Sequence, residues 1–365
     1  MKMISEFRNL GKVKLLIKKI NGLVKKDKIY RFMEVCGTHT MSISKFGIRS
    51  LLPENVELIS GPGCPVCVTS QGEIDAVFDL IKENKPIIAT YGDLLKVPGS
   101  SGDNLLKLKS LGYDIRTVFS PLDVIKMAKQ NRDKSIVFLS IGFETTTPPS
   151  AALVKVLENE TIDNVYLFVM NKTMPNILEF IAKQKIVKID GFLCPGHVSV
   201  ITGESLYLPL VDNGFACVIT GFEPIDILLG IYKLIKQVND GNYFVDNAYK
   251  RVVKSDGNKK ALELMHEVFE ESDSYWRGIG IVKDSGLKLR EKYDRFDAVK
   301  KFNVFVDHKS EIKGCRCGEV LLGLIKPYEC GLFENVCNPE NPVGPCMVSS
   351  EGTCAAYYKY ERKRK

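Results

Sequence analysis

The alternation of short β-rich runs with helix-period runs is the feature that most constrains the fold of this chain. Between Ile29 and Thr220, short apolar runs rich in Val and Ile alternate with longer runs whose apolar residues recur at helical spacing. Strands that alternate with helices form βαβ units, and such units build mostly parallel sheets. We therefore predict an α/β fold, with two similar α/β domains whose mostly parallel sheets lie around a central cleft.

The length of the chain and the change of pattern along it predict three domains. A chain of 365 residues exceeds one ordinary hydrophobic core. We predict a first α/β domain over residues 1–120, a second over 121–245 and a third over 246–365. In the third we expect no strands, but helices over Gly257–Glu271 and Arg290–Phe302 followed by irregular Cys-rich structure.

Composition predicts a soluble protein. Hydrophobic residues make up 45% and charged residues 26% of the chain, and no apolar run is long enough for a membrane span. The net charge of +7 is spread thinly apart from a Lys-rich N-terminal stretch and the tail at 362–365. The N-terminal stretch predicts an amphipathic helix on the first domain, with a membrane-surface or transit helix as the alternative. We expect no nucleic-acid and no membrane partner.

Eleven cysteines without a signal peptide indicate a reducing compartment, so we expect a cytoplasmic protein. The first two candidate thiols lie in the segment Gly61–Thr69, where Cys64 and Cys67 have C-x2-C spacing. Two thiols at this spacing can pair with each other or bind one metal. A strand over Val56–Ile59 and a helix over Glu73–Lys82 are predicted to flank them, which places the thiols at the carboxyl end of a strand. The alternative is a tight turn with two buried thiols.

Cys36 and His39 are predicted to follow another strand, on a loop just before a helix. The N-terminus of a helix lowers the pKa of a thiol and favours the thiolate that binds metals. Together with Cys64 and Cys67 they would give one cleft three thiols and an imidazole, which suit iron or zinc. The alternative is a buried cysteine and a histidine that satisfies a backbone group.

Two further loops carry candidate residues of the second domain. His197 follows a predicted strand and would face the cleft as a donor or proton carrier, unless it is a solvent-facing turn histidine. Glu144 lies in a Gly-Phe-Glu turn, where it serves either catalysis or the stability of a helix N-terminus. Cys194 and Cys217 are expected to be core cysteines.

Six of the eleven cysteines lie in the last 51 residues of the chain, separated by 1, 12, 6, 8 and 7 intervening residues. Their spacing lacks the paired C-x2-C frame of a zinc ribbon and differs from the ferredoxin pattern. Four of the six can hold an iron–sulfur cluster, and the spacing alone does not select them. The six are Cys315, Cys317, Cys330, Cys337, Cys346 and Cys354.

Five motifs, in this order, cover nearly the whole chain and resemble those of the HypD family of nickel-iron hydrogenase maturation proteins. They are Cys36-Gly-Thr-His-Thr, Gly61-Pro-Gly-Cys-Pro-Val-Cys-Val-Thr, Gly142-Phe-Glu-Thr-Thr, Cys194-Pro-Gly-His-Val-Ser and Cys346-Met-Val-Ser-Ser-Glu-Gly-Thr-Cys-Ala-Ala-Tyr-Tyr.

The resemblance implies a scaffold on which ferrous iron receives cyanide and carbon monoxide before transfer to the hydrogenase large subunit. It implies two α/β domains around a cleft and a third domain with a 4Fe-4S cluster. The partners it implies are a small HypC-type chaperone and a HypE-type cyanide donor that works with HypF.

The resemblance also implies roles for individual residues. Cys36 matches the family's iron-holding cysteine, and Cys64 and Cys67 match its redox-active pair, which we also count as iron ligands. His39, Glu144 and His197 match motif positions. For the cluster the favoured ligands are Cys317, Cys330, Cys337 and Cys354, with Cys315 as a rival for the first place and Cys346 disfavoured.

These residues together suggest an electron relay. Strong-field cyanide and carbonyl ligands suit low-spin ferrous iron on soft thiolates. A dithiol beside a cluster can store and deliver two electrons, so a relay would run from the cluster through Cys64 and Cys67 to the Cys36 site. The competing functions are an iron–sulfur thiol-disulfide reductase acting on a partner protein, and a zinc-stapled scaffold that only holds partners.

Overall fold

The computed structural model describes residues 8–184, 187–307 and 312–362, and in them the strands form two parallel sheets and one antiparallel hairpin. The first sheet has five strands: β1 (Tyr30–Glu34), β2 (Val56–Ser60), β7 (Gly191–Pro195), β8 (Ala216–Thr220) and β9 (Val245–Asn247). The second has four: β3 (Ile87–Thr90), β4 (Ile115–Thr117), β5 (Ile136–Gly142) and β6 (Val165–Asn171). Their spatial orders are β2-β1-β7-β8-β9 and β4-β3-β5-β6, with every neighbouring pair parallel.

This architecture confirms the predicted α/β class with mostly parallel sheets. Each sheet, however, takes strands from both segments that we predicted as separate domains. The chain builds β1 and β2, leaves for the second sheet, and returns to pair β7 with β1. Alternation of strands and helices predicts parallel pairing but not which strands are neighbours. The boundaries at residues 120 and 245 stay predictions.

Helices cover the faces of both sheets. Those of the first part of the chain are α1 (Leu10–Leu23), α2 (Gly37–Lys45), α3 (Ile48–Leu51), α4 (Pro65–Val68), α5 (Gln71–Asn84), α6 (Leu105–Ser110), α7 (Asp123–Gln130) and α8 (Thr147–Asn159). They are followed by α9 (Met174–Gln184), α10 (Gly196–Thr202), α11 (Leu208–Asp212), α12 (Pro224–Asp240), α13 (Lys259–Val268), α14 (Ala298–Lys301), α15 (Cys317–Leu321), α16 (Pro345–Val348) and α17 (Thr353–Tyr360). Short 3-10 turns lie at Gly92–Leu94, Ser205–Tyr207, Glu291–Phe296 and Pro327–Glu329.

The N-terminal basic stretch forms the predicted amphipathic helix, α1. It packs against α12, which in turn covers β7 and β8 of the first sheet, and Val13 and Ile20 are its buried residues. The amphipathic helix itself is confirmed, but it packs on a helix of the segment that we predicted as the second domain, not on residues 1–120 alone. Residues 363–365 of the basic tail lie outside the described residues. No helix in the described part of the chain has both the length and the apolar character that crossing a bilayer requires.

The expectation that strands stop after residue 246 is wrong. Strands β10 (Phe269–Trp276) and β11 (Gly280–Leu289) form an antiparallel hairpin where we predicted the end of a helix and a linker. Half-buried and exposed residues alternate over residues 270–274 of β10, whose charges are also typical of a helix surface. Two-residue alternation is the pattern of a half-buried strand.

Candidate thiol site and cysteine-rich pocket

The loops that follow the parallel strands lie at the carboxyl ends of the sheets, where α/β folds place their sites. Cys64 and Cys67 follow β2 and are joined as a disulfide with a Cα–Cα distance of 5.2 Å. Pro65 opens the one-turn helix α4, and the Cys64 sulfur accepts the Cys67 backbone N–H at 3.2 Å. Both cysteines are buried, with Cys67 wholly inaccessible to solvent.

The Cys36 loop lies in direct contact with the disulfide loop. The Gly37 N–H donates to the Gly63 carbonyl at 3.2 Å. A Cβ atom on Gly63 would lie 2.3 Å from the Cys36 Cα and 2.7 Å from the Val35 carbonyl carbon, so only glycine fits there. The sequence prediction that Cys36, Cys64 and Cys67 share one site is thus supported by loops whose backbones touch.

The predicted thiolate at Cys36 is wrong for this buried state. Burial, followed by the nearby Glu351 carboxyl, raises the pKa of the Cys36 thiol to about 12, and these effects outweigh the hydrogen bonds from the α2 N-terminus. Glu351 accepts a hydrogen bond from the Thr38 hydroxyl at 2.6 Å, and burial raises the pKa of Glu351 as well. Glu351 belongs to the C-terminal motif, but the motif alone predicts no role for it.

His39 and His197 meet across one aromatic ring. The ring centroid of Phe222 lies 4.7 Å from that of His39 and 4.0 Å from that of His197. His39 is fully buried, and its Nε2 donates to the Gly221 carbonyl at 3.0 Å while Nδ1 has no partner. Burial lowers the pKa of His39 to about 4 and also lowers that of His197, which keeps an exposed edge. The two imidazoles are therefore neutral at physiological pH.

Glu144 lies two residues after β5, and β5 contacts the helix α4 that carries Cys67. One carboxyl oxygen accepts the Met174 N–H at 2.8 Å, and the other is buried without a partner. Burial raises the pKa of Glu144 to about 7, so this carboxyl can exchange a proton near neutral pH. Nothing in the described contacts joins Glu144 to His39 or His197.

The C-terminal segment packs onto both thiol loops. Helix α16, which contains Cys346, contacts α4, and helix α17, which contains Cys354, contacts α2. Glycine is again required at the junction, because a Cβ on Gly37 would lie 2.3 Å from the Glu351 carbonyl oxygen. All six C-terminal cysteines line one pocket, whose other walls are mostly apolar.

Comparison of the amino-acid sequence with known proteins identifies the family of this chain. The profile of the HypD family, described as "Hydrogenase formation hypA family", matches residues 11–361. The chain belongs to the HypD family of hydrogenase maturation factors. Its relatives include hydrogenase maturation factor HypD2 of Bradyrhizobium diazoefficiens, 44% identical over 100% of this chain and 98% of the relative. HypD of Cupriavidus necator is 42% identical over 99% and 98%, and HypD of Escherichia coli K12 is 42% identical over 92% and 91%.

The cysteine pocket of this HypD-family chain gathers all six thiols among which the cluster ligands are predicted. Within residues 8–184, 187–307 and 312–362, no three His, Cys, Asp or Glu side chains converge as ligands of one metal ion. The cysteines of a 4Fe-4S cluster each bind a different iron and need not converge on one point. Hydrogen bonding from Cys315, then from Cys346, together with the charge of Arg277, lowers the pKa of Cys317.

The described geometry of the HypD-family pocket does not select four ligands from the six. The favoured set of Cys317, Cys330, Cys337 and Cys354, with Cys315 as rival, stays a prediction. Cys317 and then Cys354 raise the pKa of the buried Cys346 thiol, and the exclusion of Cys346 from the ligand set stays a prediction.

Proposed function

We propose that this protein, with a HypC-type chaperone, holds iron while the Fe(CN)2CO group of the nickel-iron active site is assembled. The observation that carries the proposal is the junction of three segments: the Cys36 loop, the Cys64–Cys67 disulfide loop and the C-terminal cysteine segment are in mutual contact. A free thiol, a reducible disulfide and a six-thiol pocket at one junction are the parts that iron assembly with electron supply requires.

The iron cargo would be held by Cys36. Its thiol is protonated at neutral pH because its pKa is about 12, so ferrous iron must displace the proton when the Fe–S bond forms. Reduction of the Cys64–Cys67 disulfide takes two electrons and two protons and yields two further thiols on the touching loop. After losing their protons, these thiols can bind iron as additional ligands. The sulfurs of the closed disulfide cannot do so, because only a thiolate binds the metal.

Burial favours the uncharged forms of the polar residues in this region. They are therefore better suited to exchanging protons and contacting neutral ligands than to holding charged groups. The neutral imidazole of His197 can donate one hydrogen bond to a bound diatomic ligand, whereas the N–H of His39 is already bound to the Gly221 carbonyl and its free Nδ1 can only accept. Glu144, whose pKa is about 7, can release or take up a proton at the end of the strand that contacts α4 when the disulfide opens.

A 4Fe-4S cluster would be held in the pocket by Cys317, Cys330, Cys337 and Cys354, with Cys315 as the rival ligand. When bound, such a cluster supplies electrons one at a time at a low potential. Cyanide would come from a HypE-type protein that works with HypF, and the completed group would pass to the hydrogenase large subunit. We place these steps in the cytoplasm, where thiols stay reduced.

Substitution of Cys64 tests the role of the disulfide. We expect Cys64→Ala to keep the absorbance of the cluster, because Cys64 lies outside the cysteine pocket, and to abolish hydrogenase activation in cells. Cys217→Ala removes a buried cysteine of strand β8 and is the matched control, with activation retained. Full activation by Cys64→Ala would refute a role for the disulfide.

One observation bears on the reductase alternative. The disulfide is formed, as a reductase requires, yet Cys67 is inaccessible and Cys64 is only 3% exposed. A partner protein could reach the sulfurs only after the loop opens. Metal analysis separates the functions: a cluster plus one further iron supports iron assembly, a cluster alone supports the reductase, and colourless zinc supports the passive scaffold.

A further inference from the structure

The turn of the β10–β11 hairpin lies between the disulfide loop and the C-terminal cysteines. On one side, the Arg277 N–H donates to the carbonyl of Val68, the last residue of α4, at 2.9 Å. On the other side, Gly278 lies against Gly318, next to Cys317: a Cβ on Gly278 would lie 2.6 Å from the Gly318 Cα. The turn therefore touches both redox segments through backbone atoms.

The Arg277 side chain extends this bridge. It is 7% exposed, and it donates from Nε to the Thr69 carbonyl at 2.8 Å and from Nη1 to Gln71 Oε1 at 2.7 Å. Its Nη2 is buried and has no hydrogen-bond partner. The same side chain lines a cavity of about 40 Å³ together with Cys315 and Cys317.

A buried guanidinium with a free nitrogen is costly unless an anion compensates it. Within the described residues no carboxylate forms an ion pair with Arg277. The other buried cation of this region, Lys172, differs because Glu73 lies 3.4 Å from its Nζ and Ser274 accepts from it at 2.7 Å. Among the residues that the structure describes, Arg277 is therefore a buried cation without a carboxylate partner.

We propose that Arg277 is a positioning residue that joins the two redox segments and directs its free nitrogen toward an iron–sulfur cluster at the Cys315–Cys317 end of the pocket. This inference rests on the proposed function, from which it takes the cluster. A cluster on four thiolates is an anion, and reduction adds one more negative charge. A fixed cation in a low-dielectric site stabilises the reduced form and raises the reduction potential. Arginine suits this place because its planar fork can hold two acceptors and still present a third donor.

The test is a redox titration of the cluster in the full chain purified without oxygen. The variants are Arg277→Gln, which removes the charge, Arg277→Lys, which keeps the charge without the fork, and Arg290→Gln, a control on the exposed end of the same hairpin. We expect Arg277→Gln to disfavour one-electron reduction by at least about tenfold, which is about 59 mV in midpoint potential. Arg277→Lys should lower the midpoint potential by less than Arg277→Gln does, and Arg290→Gln should have the midpoint potential of the wild type.

Equal midpoint potentials in all four proteins would overturn the inference while leaving the proposed function intact. Absence of a cluster from the wild type would instead refute the cluster of the proposed function, and this inference with it. If Arg277→Gln loses its cluster, the melting temperature of the metal-free chain decides. An unchanged melting temperature supports an electrostatic role, whereas a large drop shows that Arg277 only holds the fold and overturns the inference.

Discussion

Burial controls the protonation of the residues around Cys36. The pKa values of about 12 for Cys36, 4 for His39 and 7 for Glu144 all move toward the neutral form, because each charged form would lose its hydration. At neutral pH the site therefore presents a thiol, a neutral imidazole and a carboxyl group near its midpoint. A positive iron ion entering this site would reverse the preference at Cys36 and favour the thiolate.

Glu144 predicts a specific pH dependence of stability. Its folded pKa of about 7 exceeds the usual 4.5, so the folded state binds the proton more tightly than the unfolded state does. The stability from this proton is complete below about pH 4.5 and is lost as the pH rises through about 7, by roughly 3 kcal/mol in total. Glu144→Gln should remove this dependence.

Thermal unfolding at pH 5 and pH 8 measures the effect of Glu144. We expect the melting temperature of Glu144→Gln to fall less than that of the wild type between the two pH values. A fall of the same size in both proteins would show that the carboxyl titrates as if exposed.

Gly63 tests the contact of the two thiol loops. In Gly63→Ala the new methyl group collides with backbone atoms of Cys36 and Val35, so the loops must separate. We expect a loss of about 1–3 kcal/mol in stability, the usual cost of overpacking a buried site. Gly22→Ala is the control, because Gly22 lies inside helix α1 with open space around it and alanine favours a helix. Chemical denaturation should therefore rank the control at or above the wild type, and a Gly63→Ala protein of wild-type stability would contradict the described contact.

At the scale of elements, a charge network fastens helices α3 and α17 to strand β1. Arg49 of α3 donates to the buried Glu34 carboxylate at the end of β1 at 2.5 Å and to Glu361, just beyond α17, at 3.1 Å. Glu34 also accepts from the Ser60 hydroxyl at 2.8 Å. The network holds the C-terminal helix against the loop that carries Cys36.

Removal of the Arg49 side chain should lower the free energy of unfolding. Arg49→Met would leave the fully buried Glu34 carboxylate without its counter-ion, and breaking a buried pair in this way costs about 3–5 kcal/mol. Arg116→Met breaks an ion pair of similar geometry with Asp114 in which both side chains are more than a third exposed, so its cost should stay below about 1 kcal/mol. Urea denaturation of both variants makes the comparison, and equal losses would contradict the assigned role of burial.

The elements that follow local rules were predictable from the sequence. The predicted strand Val56–Ile59 matches β2 to within one residue, and the Ser70–Glu73 capping box starts α5 ahead of the predicted helix Glu73–Lys82. The hairpin β10–β11 was missed because its charges looked helical. The roles of Arg277 and Glu351 were also missed, because each depends on contacts between residues more than 200 positions apart along the chain.

At the scale of the whole molecule, the chain leaves the first sheet and returns to it, which brings distant segments to one junction. Strands β1 and β2 place Cys36 and the disulfide side by side, and the C-terminal segment closes over them. A site assembled from both halves of the chain and its C-terminus requires the complete fold. This dependence explains why the motifs recognisable in the sequence are spread over nearly its entire length.

The central claim, that Cys36 holds the iron cargo, is tested most directly by an infrared spectrum. The protein would be purified without oxygen together with its HypC-type chaperone, from cells that contain all maturation partners. We expect bands in the region of metal-bound cyanide and carbonyl, lost in Cys36→Ala while the brown colour of the cluster remains. A cluster-loaded wild-type complex without such bands would contradict the account, and so would bands that survive in Cys36→Ala.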